Sequence, residues 1–278
     1  MKKTLKNLLI FVLLFVTAIS FTGCKKNEKI IRVCASELPH ADILNNVVKE
    51  KLKEKGYTLE VTVLDWTIQN DAVANKDYDA NYFQHTQYLS QYNGKTKLIA
   101  TCKVHYEPLS IYYGKSDKPL SEGKTFAICN DESNAIRALN LLYSKGVISE
   151  LPVSSDNHLT FSGTTWTSSN NITITLIEES LLSVSLLDYD FACLPCNTAY
   201  TGNVSDKRLV ASEDDPDLVA KNANVLAVRE NDYKNDSTYK KKIDLLTDIL
   251  LSDDVSNYVK QKYGKILICD KTSQIDLR

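Results

Sequence analysis

The chain has 278 residues, with 33 lysines and arginines against 35 acids and a net charge of −2. A mildly acidic surface with no basic block excludes nucleic acid as a natural partner. Four histidines and seven cysteines are few enough for each to be weighed singly.

Lys2, Lys3 and Lys6 form a basic n-region ahead of an apolar run from Leu8 to Ile19. The run is too short to anchor stably across ~30 Å of hydrocarbon, and it fits the h-region of a signal peptide. "FTGC" follows. Gly23 directly before Cys24 is the signature of a bacterial lipoprotein signal, with Phe21 where leucine is usual. An ordinary secretory signal cut nearby is the alternative. After cleavage Cys24 would carry a diacylglyceryl group and an N-acyl chain of the palmitate kind. Two or more chains hold a protein on a membrane where one is marginal. The expected location is the extracytoplasmic face of the cell membrane. Removal of residues 1–23 takes three lysines and no acid, leaving 30 basic against 35 acidic groups and a net charge of −5. Residues 24–29 read as a solvated tether. The remaining 255 or so residues suffice for two lobes.

"IIRVCAS" (30–36) alternates and is β-branched, which predicts a strand. Residues 40–55 place Ile43, Leu44, Val47, Val48 and Leu52 on one helical stripe that Gly56 terminates. "TLEVTVLDW" (58–66) alternates again, completing a βαβ unit. "DAVANK" predicts a short helix and "YDAN" a strand. "KLIATCKVHYEPLSIYYGK" (97–115) holds two strands around Glu107-Pro108, and "KTFAICN" is a further strand. "DESNAIRALNLLYSKGVI" predicts a helix with Ile136, Leu139, Leu142 and Tyr143 inward and Gly146 as its stop. Residues 152–171 read as loop. "ITITLIE", "DYDFACLP" and "NANVLAVRE" are strands, and two helices close the chain. Alternating strands and helices give the α/β class. Polar, turn-rich segments near 118–124 and 202–222 read as crossovers. They divide the chain into a first lobe of 30–117 plus 222–278 and a second of 118–221, with a ligand in the cleft between them.

Cys34, Cys102, Cys129 and Cys193 lie in apolar, strand-like runs and read as buried thiols. "CLPC", Cys193 to Cys196, has redox or metal spacing, but one such pair without a second is a weak signal. An extracytoplasmic thiol oxidoreductase built on Cys193 and Cys196 is the enzymatic alternative. His85 and His105 are twenty residues apart with no shared acidic cluster, so the sequence calls for no metal and no cofactor.

Seven stretches carry a family resemblance: "PHADIL" (39–44), "DANYFQHTQYL" (79–89), "KVHYEPLSIY" (103–112), "NDESNAIRALNLL" (130–142), "CNTAY" (196–200), "NVLAVRE" (224–230) and "SDDVSNYVKQKYG" (252–264). In that order they resemble the methionine-binding lipoproteins of bacterial ABC importers, the NlpA/MetQ family. The resemblance implies a two-lobed, type II periplasmic-binding-protein-like fold. Each lobe is then a central mixed β-sheet flanked by helices, closing on a free amino acid, usually methionine, that is passed to a permease. It implies that Trp66 takes the place of the family's pocket tyrosine ("DWTIQN" here). Phe83 and His85 would line the cleft with Tyr82 and Gln84 beside them. Arg137 would hold the ligand carboxylate, and Asn197 and Asn224 the ligand's polar end. The Pro-Arg pair usual before the strand leading to that asparagine is missing from "SLLSVSLLDYDFACLP". Another amino acid or a short peptide therefore stays open as the ligand.

The residue types suit a zwitterion. A carboxylate wants the planar fork of an arginine, near a helix N-terminus. An ammonium wants amide oxygens, and a thioether wants aromatic walls. Each residue also has a plainer role. His85, Tyr88, Leu89 and Tyr92 share helical spacing and could be core. Arg137 could pair with Glu132 or Asp131 on a solvated face, Asn197 could be a turn residue, and Trp66 could be core.

Overall fold

A computed structural model describes residues 28–278 apart from 116, 216, 218–220 and 265. The signal peptide of residues 1–23, Cys24 and most of the tether lie outside the described residues. No helix among those described is long and apolar enough to cross a membrane.

Strands β1 (Ile30–Ala35), β2 (Thr58–Val63), β3 (Ala80–His85) and β4 (Leu98–Tyr106) open a first sheet. The chain then crosses, and β5 (Leu109–Tyr113), β6 (Thr125–Cys129), β7 (Thr165–Thr167), β8 (Thr173–Ile177), β9 (Phe191–Pro195) and β10 (Leu209–Ser212) build a second. It returns with β11 (Ala223–Arg229) and β12 (Ile275–Asp276). The first sheet runs β12-β4-β11-β3-β1-β2 and the second β10-β5-β9-β6-β8-β7. Both are mixed. β1 pairs parallel with β2 and β3, whereas β11 is antiparallel to β3 and β4. In the second sheet β6 runs parallel to β8 and β9, while β5 is antiparallel to β9 and β10.

Glu37–Ala41, broken by the extended Leu38, and the wide helical turn Leu44–Val48 lead into helix α1 (Lys49–Glu54). Ile43, Leu44, Val47, Val48 and Leu52 are buried there as the periodicity predicts. Gly56 follows with φ +75, the left-handed ending that a Cβ would strain. Helix α2 (Trp66–Ala74) begins five residues earlier than "DAVANK" suggests, because the Asp65 carboxylate caps it by accepting from Thr67 N–H at 2.9 Å. Helix α3 (Thr86–Gln91) follows β3 directly. Helix α4 (Glu132–Ser144) buries Ile136, Leu139 and Leu142, but Tyr143 is 49% exposed and not inward. The shorter α5 (Glu179–Leu182) and α6 (Cys196–Thr201) flank β9, and α7 (Glu230–Asn235), α8 (Ser237–Leu250) and α9 (Asp253–Tyr263) cover the first sheet. The 152–171 segment is not all loop, since Thr165–Thr167 forms β7.

One element lies across the expected division. Leu109–Tyr113, placed by the sequence with the first lobe, pairs between β9 and β10 in the second sheet. Pro108 has no N–H to continue the β4 ladder, and Leu109, Ile111 and Tyr112 are buried in the second sheet's own core. The crossing therefore falls at Glu107-Pro108.

Each sheet has its own apolar core. Ile31, Val33, Leu226 and Val228 pack with Ile243, Leu246 and Leu250 of α8. Ile111, Phe126, Ile128 and Phe191 pack with Leu139 and Leu142 of α4, and the Phe126 and Phe191 rings stack at 5.2 Å.

Candidate functional site

A pocket with about 540 Å³ of empty space is lined by residues from both sheets. On the first sheet's side stand Trp66 at the head of α2, Phe83, Gln84 and His85 from β3, and Tyr88 from α3. Ser36 after β1 and Asn224 on β11 complete that wall. Glu107 sits at the crossing. Asn134, Arg137, Glu179, Pro195 and Asn197 face it from the second sheet's side.

Three consecutive residues of β3 reach one pocket because the strand is irregular. Gln84 lies opposite Val225 and Tyr82 opposite Leu226, so Phe83 is left over as a bulge. A bulge breaks strict alternation and re-aims side chains. Tyr82, expected in the site, is instead fully buried in the first core, where its hydroxyl donates to His105 Nδ1 at 2.5 Å. It does not line the pocket. Tyr88 does, although its helical spacing with His85, Leu89 and Tyr92 also fitted a core role. Its ring meets Trp66 edge-to-face at 5.5 Å and Phe83 at 5.9 Å, which makes a three-ring apolar wall. Gln84 is fixed by an amide cluster, donating to Asn70 Oδ1 at 2.6 Å and Asn81 Oδ1 at 2.9 Å.

His85 ends β3 and caps α3. Its Nδ1 accepts from Tyr88 N–H at 3.3 Å and its Nε2 faces Asn134 Oδ1 at 3.3 Å, which places the proton on Nε2. Burial, with Arg137 nearby, lowers its pKa to about 4, so it is neutral at physiological pH.

Arg137 is 5% exposed, on the buried side of α4. Its partner is neither Glu132 nor Asp131, and its fork is not open. Nε donates to Glu213 Oε1 at 3.1 Å and Nη2 to Oε2 at 2.6 Å, a side-on bidentate pair. Nη2 also donates to the Glu107 carbonyl at 2.9 Å, and Nη1 to Asn134 Oδ1 at 3.1 Å. A guanidinium has five N–H groups, so one, on Nη1, is left for a ligand. The parallel pair of N–H groups that a bidentate grip would use is engaged by Glu213 in this structure. Glu213 was not foreseen. Its Oε2 also accepts from Tyr106 O–H at 2.5 Å and Leu109 N–H at 2.9 Å.

Glu107 belongs to a second buried network. Its Oε1 accepts from His105 Nε2 at 2.8 Å, and His40 Nε2, which donates to Asn224 Oδ1 at 3.0 Å, lies 3.2 Å from the same oxygen. Cys196 Sγ lies 3.9 Å from Oε2, and the Asn197 backbone N–H points at the same carboxylate. Burial pushes Glu107 up and lowers His40 to about 4 and His105 to about 3. Through His40 this network holds Asn224 at the pocket wall.

Glu179, at the start of α5, was also missed. Its Oε1 accepts from Thr198 O–H at 2.6 Å. Burial raises its pKa to about 7. A surface helix start is the plain reading of "EES", and nothing in the spacing marks the second glutamate as facing a pocket.

Two groupings have ligand-type atoms within 4.8 Å, His40-His105-Glu107 and Cys129-Asp131-Glu179. Hydrogen bonds already account for the first. In the second the Cys129 thiol donates to Asp131 at 2.8 Å and burial drives its pKa far up, so it keeps its proton and is no ligand. Cys34, Cys102, Cys193 and Cys196 are likewise free and buried. Burial raises Cys193 and Cys196 well above the ordinary thiol range, the reverse of what a redox nucleophile needs.

Two mixed sheets flanked by helices, with a polar pocket walled from both, define the fold of the periplasmic substrate-binding proteins. A family model described as NlpA lipoprotein matches residues 31–269. The chain belongs to that family. The methionine-binding lipoprotein MetQ of Bacillus subtilis is 42% identical over 147 residues, 51% of this chain and 53% of that protein. A nutrient binding protein from Burkholderia cenocepacia, solved bound to methionine, superposes with TM-score 0.72 at 26% identity, covering 86% of this chain and 99% of that one. A periplasmic substrate-binding protein of an ABC transporter from Coxiella burnetii superposes with TM-score 0.70 at 27% identity, covering 86% and 100%. The relatives are named as binding proteins.

Proposed function

We propose that this chain is the substrate-binding lipoprotein of an ABC importer, holding a free amino acid, methionine foremost, for delivery to a permease. The observation that carries the reading is the composition of the pocket. Three aromatic rings face it together with a guanidinium N–H, three asparagines and two glutamates. Trp66, Phe83 and Tyr88 give a thioether its ring contacts. Nη1 of Arg137 and the amides of Asn197 and Asn224 meet the charged end. The two sheets are the cores of two lobes, 30–107 with 222–278 and 108–221, and ligand closes the cleft between them. The thiols of Cys193 and Cys196 keep their protons and the relatives are named as binding proteins, which supports a chain that binds its ligand unchanged.

A ligand that binds the folded chain alone should stabilise it by about 2.7 kcal/mol at 100 times its Kd. A melting screen across the amino acids is therefore expected to rank L-methionine or a close relative first. A charged or very small amino acid ranked first, with no shift for methionine, would remove the thioether assignment. The anchor is tested separately. Cys24→Ser is expected to move the protein from the membrane fraction to the soluble one, and a variant that still pellets with membranes contradicts the lipid reading of "FTGC".

A further inference from the structure

Three carboxylates stand in or beside the pocket, and their partners differ. Glu213 is filled by Arg137, Tyr106 and the Leu109 N–H. Glu107 takes His105 Nε2 at 2.8 Å and the Cys196 thiol at 3.9 Å, with His40 Nε2 3.2 Å away. Glu179 is different. Its Oε1 takes the Thr198 hydroxyl at 2.6 Å, and its Oε2 has no hydrogen-bond partner among the described residues although the side chain lines the pocket. Arg137, the cation of the site, offers one N–H after its internal bonds. The strongest charged group still open to a ligand is thus an acceptor, not a donor.

We propose that Glu179 receives the ligand's ammonium group and makes the site select ligands with a free amino group. The inference rests on the amino-acid reading above and deepens it. An ammonium brings three donors. Glu179 Oε2 supplies the charged acceptor, and the remaining lone pairs of Asn197 and Asn224 supply neutral ones. Deaminated or N-acylated analogues lose this contact and leave the carboxylate facing them. Recognition therefore weighs the amino end over the carboxylate end, whose arginine is already neutralised by Glu213.

The surroundings of Glu179 couple this contact to pH. Asp131 and Glu107 disfavour its charge and Arg137 favours it, while Cys129 and Tyr88 are the other titratable groups close by. With burial these hold the free carboxyl at about 7. A bound ammonium lowers that value. Affinity then rises with pH until the free carboxyl has ionised and levels off above it.

The test is calorimetric titration of wild type and Glu179→Gln with L-methionine and with methylthiobutanoate, the same acid without its amino group. If the melting screen selects another amino acid, that amino acid and its deaminated acid replace the pair. Glutamine keeps the acceptor for Thr198 but turns a donor toward the ammonium. The expected result is a loss of about 30-fold or more for the amino acid, with competition-measured binding of the deaminated acid unchanged. The rise in affinity from pH 5.5 to 7.5, present in wild type, should flatten in the variant. The melting temperature without ligand should not fall, because a desolvated carboxylate has been removed. Wild-type affinity in Glu179→Gln, equal losses for both ligands, or an unchanged pH profile would each overturn the assignment while leaving the amino-acid reading intact. Failure of every amino acid to bind wild type would overturn both.

Discussion

Arg137→Ala is expected to destabilise the ligand-free protein by about 3–5 kcal/mol, the usual cost of removing one partner of a buried ion pair. The partner left behind is Glu213, whose side chain is 2% exposed. Tyr106 and Leu109 still donate to it, but its charge loses the guanidinium. The same substitution removes the N–H that Nη1 presents to the pocket, so ligand affinity falls as well. Two measurements separate the effects. Denaturant unfolding without ligand reads the ion pair, and titration under native conditions reads the ligand contact. Arg137→Lys keeps the charge but cannot reproduce the side-on fork, so it should recover only part of the stability. An alanine variant as stable as wild type would contradict a stabilising role for the Arg137–Glu213 pair.

Glu107→Ala carries the second large effect. The carboxylate is the acceptor of His105 Nε2 and lies 3.2 Å from His40 Nε2, both histidines being fully buried. Each buried donor left unpaired costs about 1–3 kcal/mol. His105 Nε2 has no other acceptor among the described residues while His40 Nε2 keeps Asn224 Oδ1, so the expected loss is about 1–3 kcal/mol. The damage should reach the pocket, since His40 also orients Asn224 and the Asn197 backbone leans on the same carboxylate. Glu107→Gln should not rescue it fully, because half of the amide is a donor facing other donors. Unfolding curves of both variants check this. Equal stability of wild type and Glu107→Ala would mean the histidines find other acceptors. Set against Glu179→Gln, expected to be harmless without ligand, these variants distinguish structural carboxylates from one kept for the ligand.

The fold was largely legible because its signals are local. Apolar stripes and β-branched alternation mark α4, α8, β1 and β11, and Gly56 and Gly146 mark helix ends. The assignment of β5 to a sheet was not legible, since it depends on pairing with Phe191–Pro195 and Leu209–Ser212, far along the chain. The site divides the same way. Motif resemblance drew attention to Trp66, Phe83, His85, Arg137, Asn197 and Asn224, and the structure gathers all six around one pocket. It failed at Tyr82, where a single bulge turns the side chain into the core. It was silent on Glu213, which lies 76 residues from Arg137 inside a run that reads as an acidic turn. Glu107 could have been noticed, because an acid next to "VHY" in an apolar strand needs a buried partner and His105 is two residues away. Glu179 had no such signal.

The central claim is that the pocket holds a free amino acid through both its charged ends. Native mass spectrometry of the protein as purified, followed by release and identification of any retained molecule, tests it most directly. The account predicts one bound molecule per chain with an α-amino and a carboxylate group, methionine first among them. It also predicts that the molecule is lost from Arg137→Ala and from Glu179→Gln. A retained molecule without an amino group, or a chain that carries nothing and takes up no amino acid supplied at millimolar concentration, would contradict it.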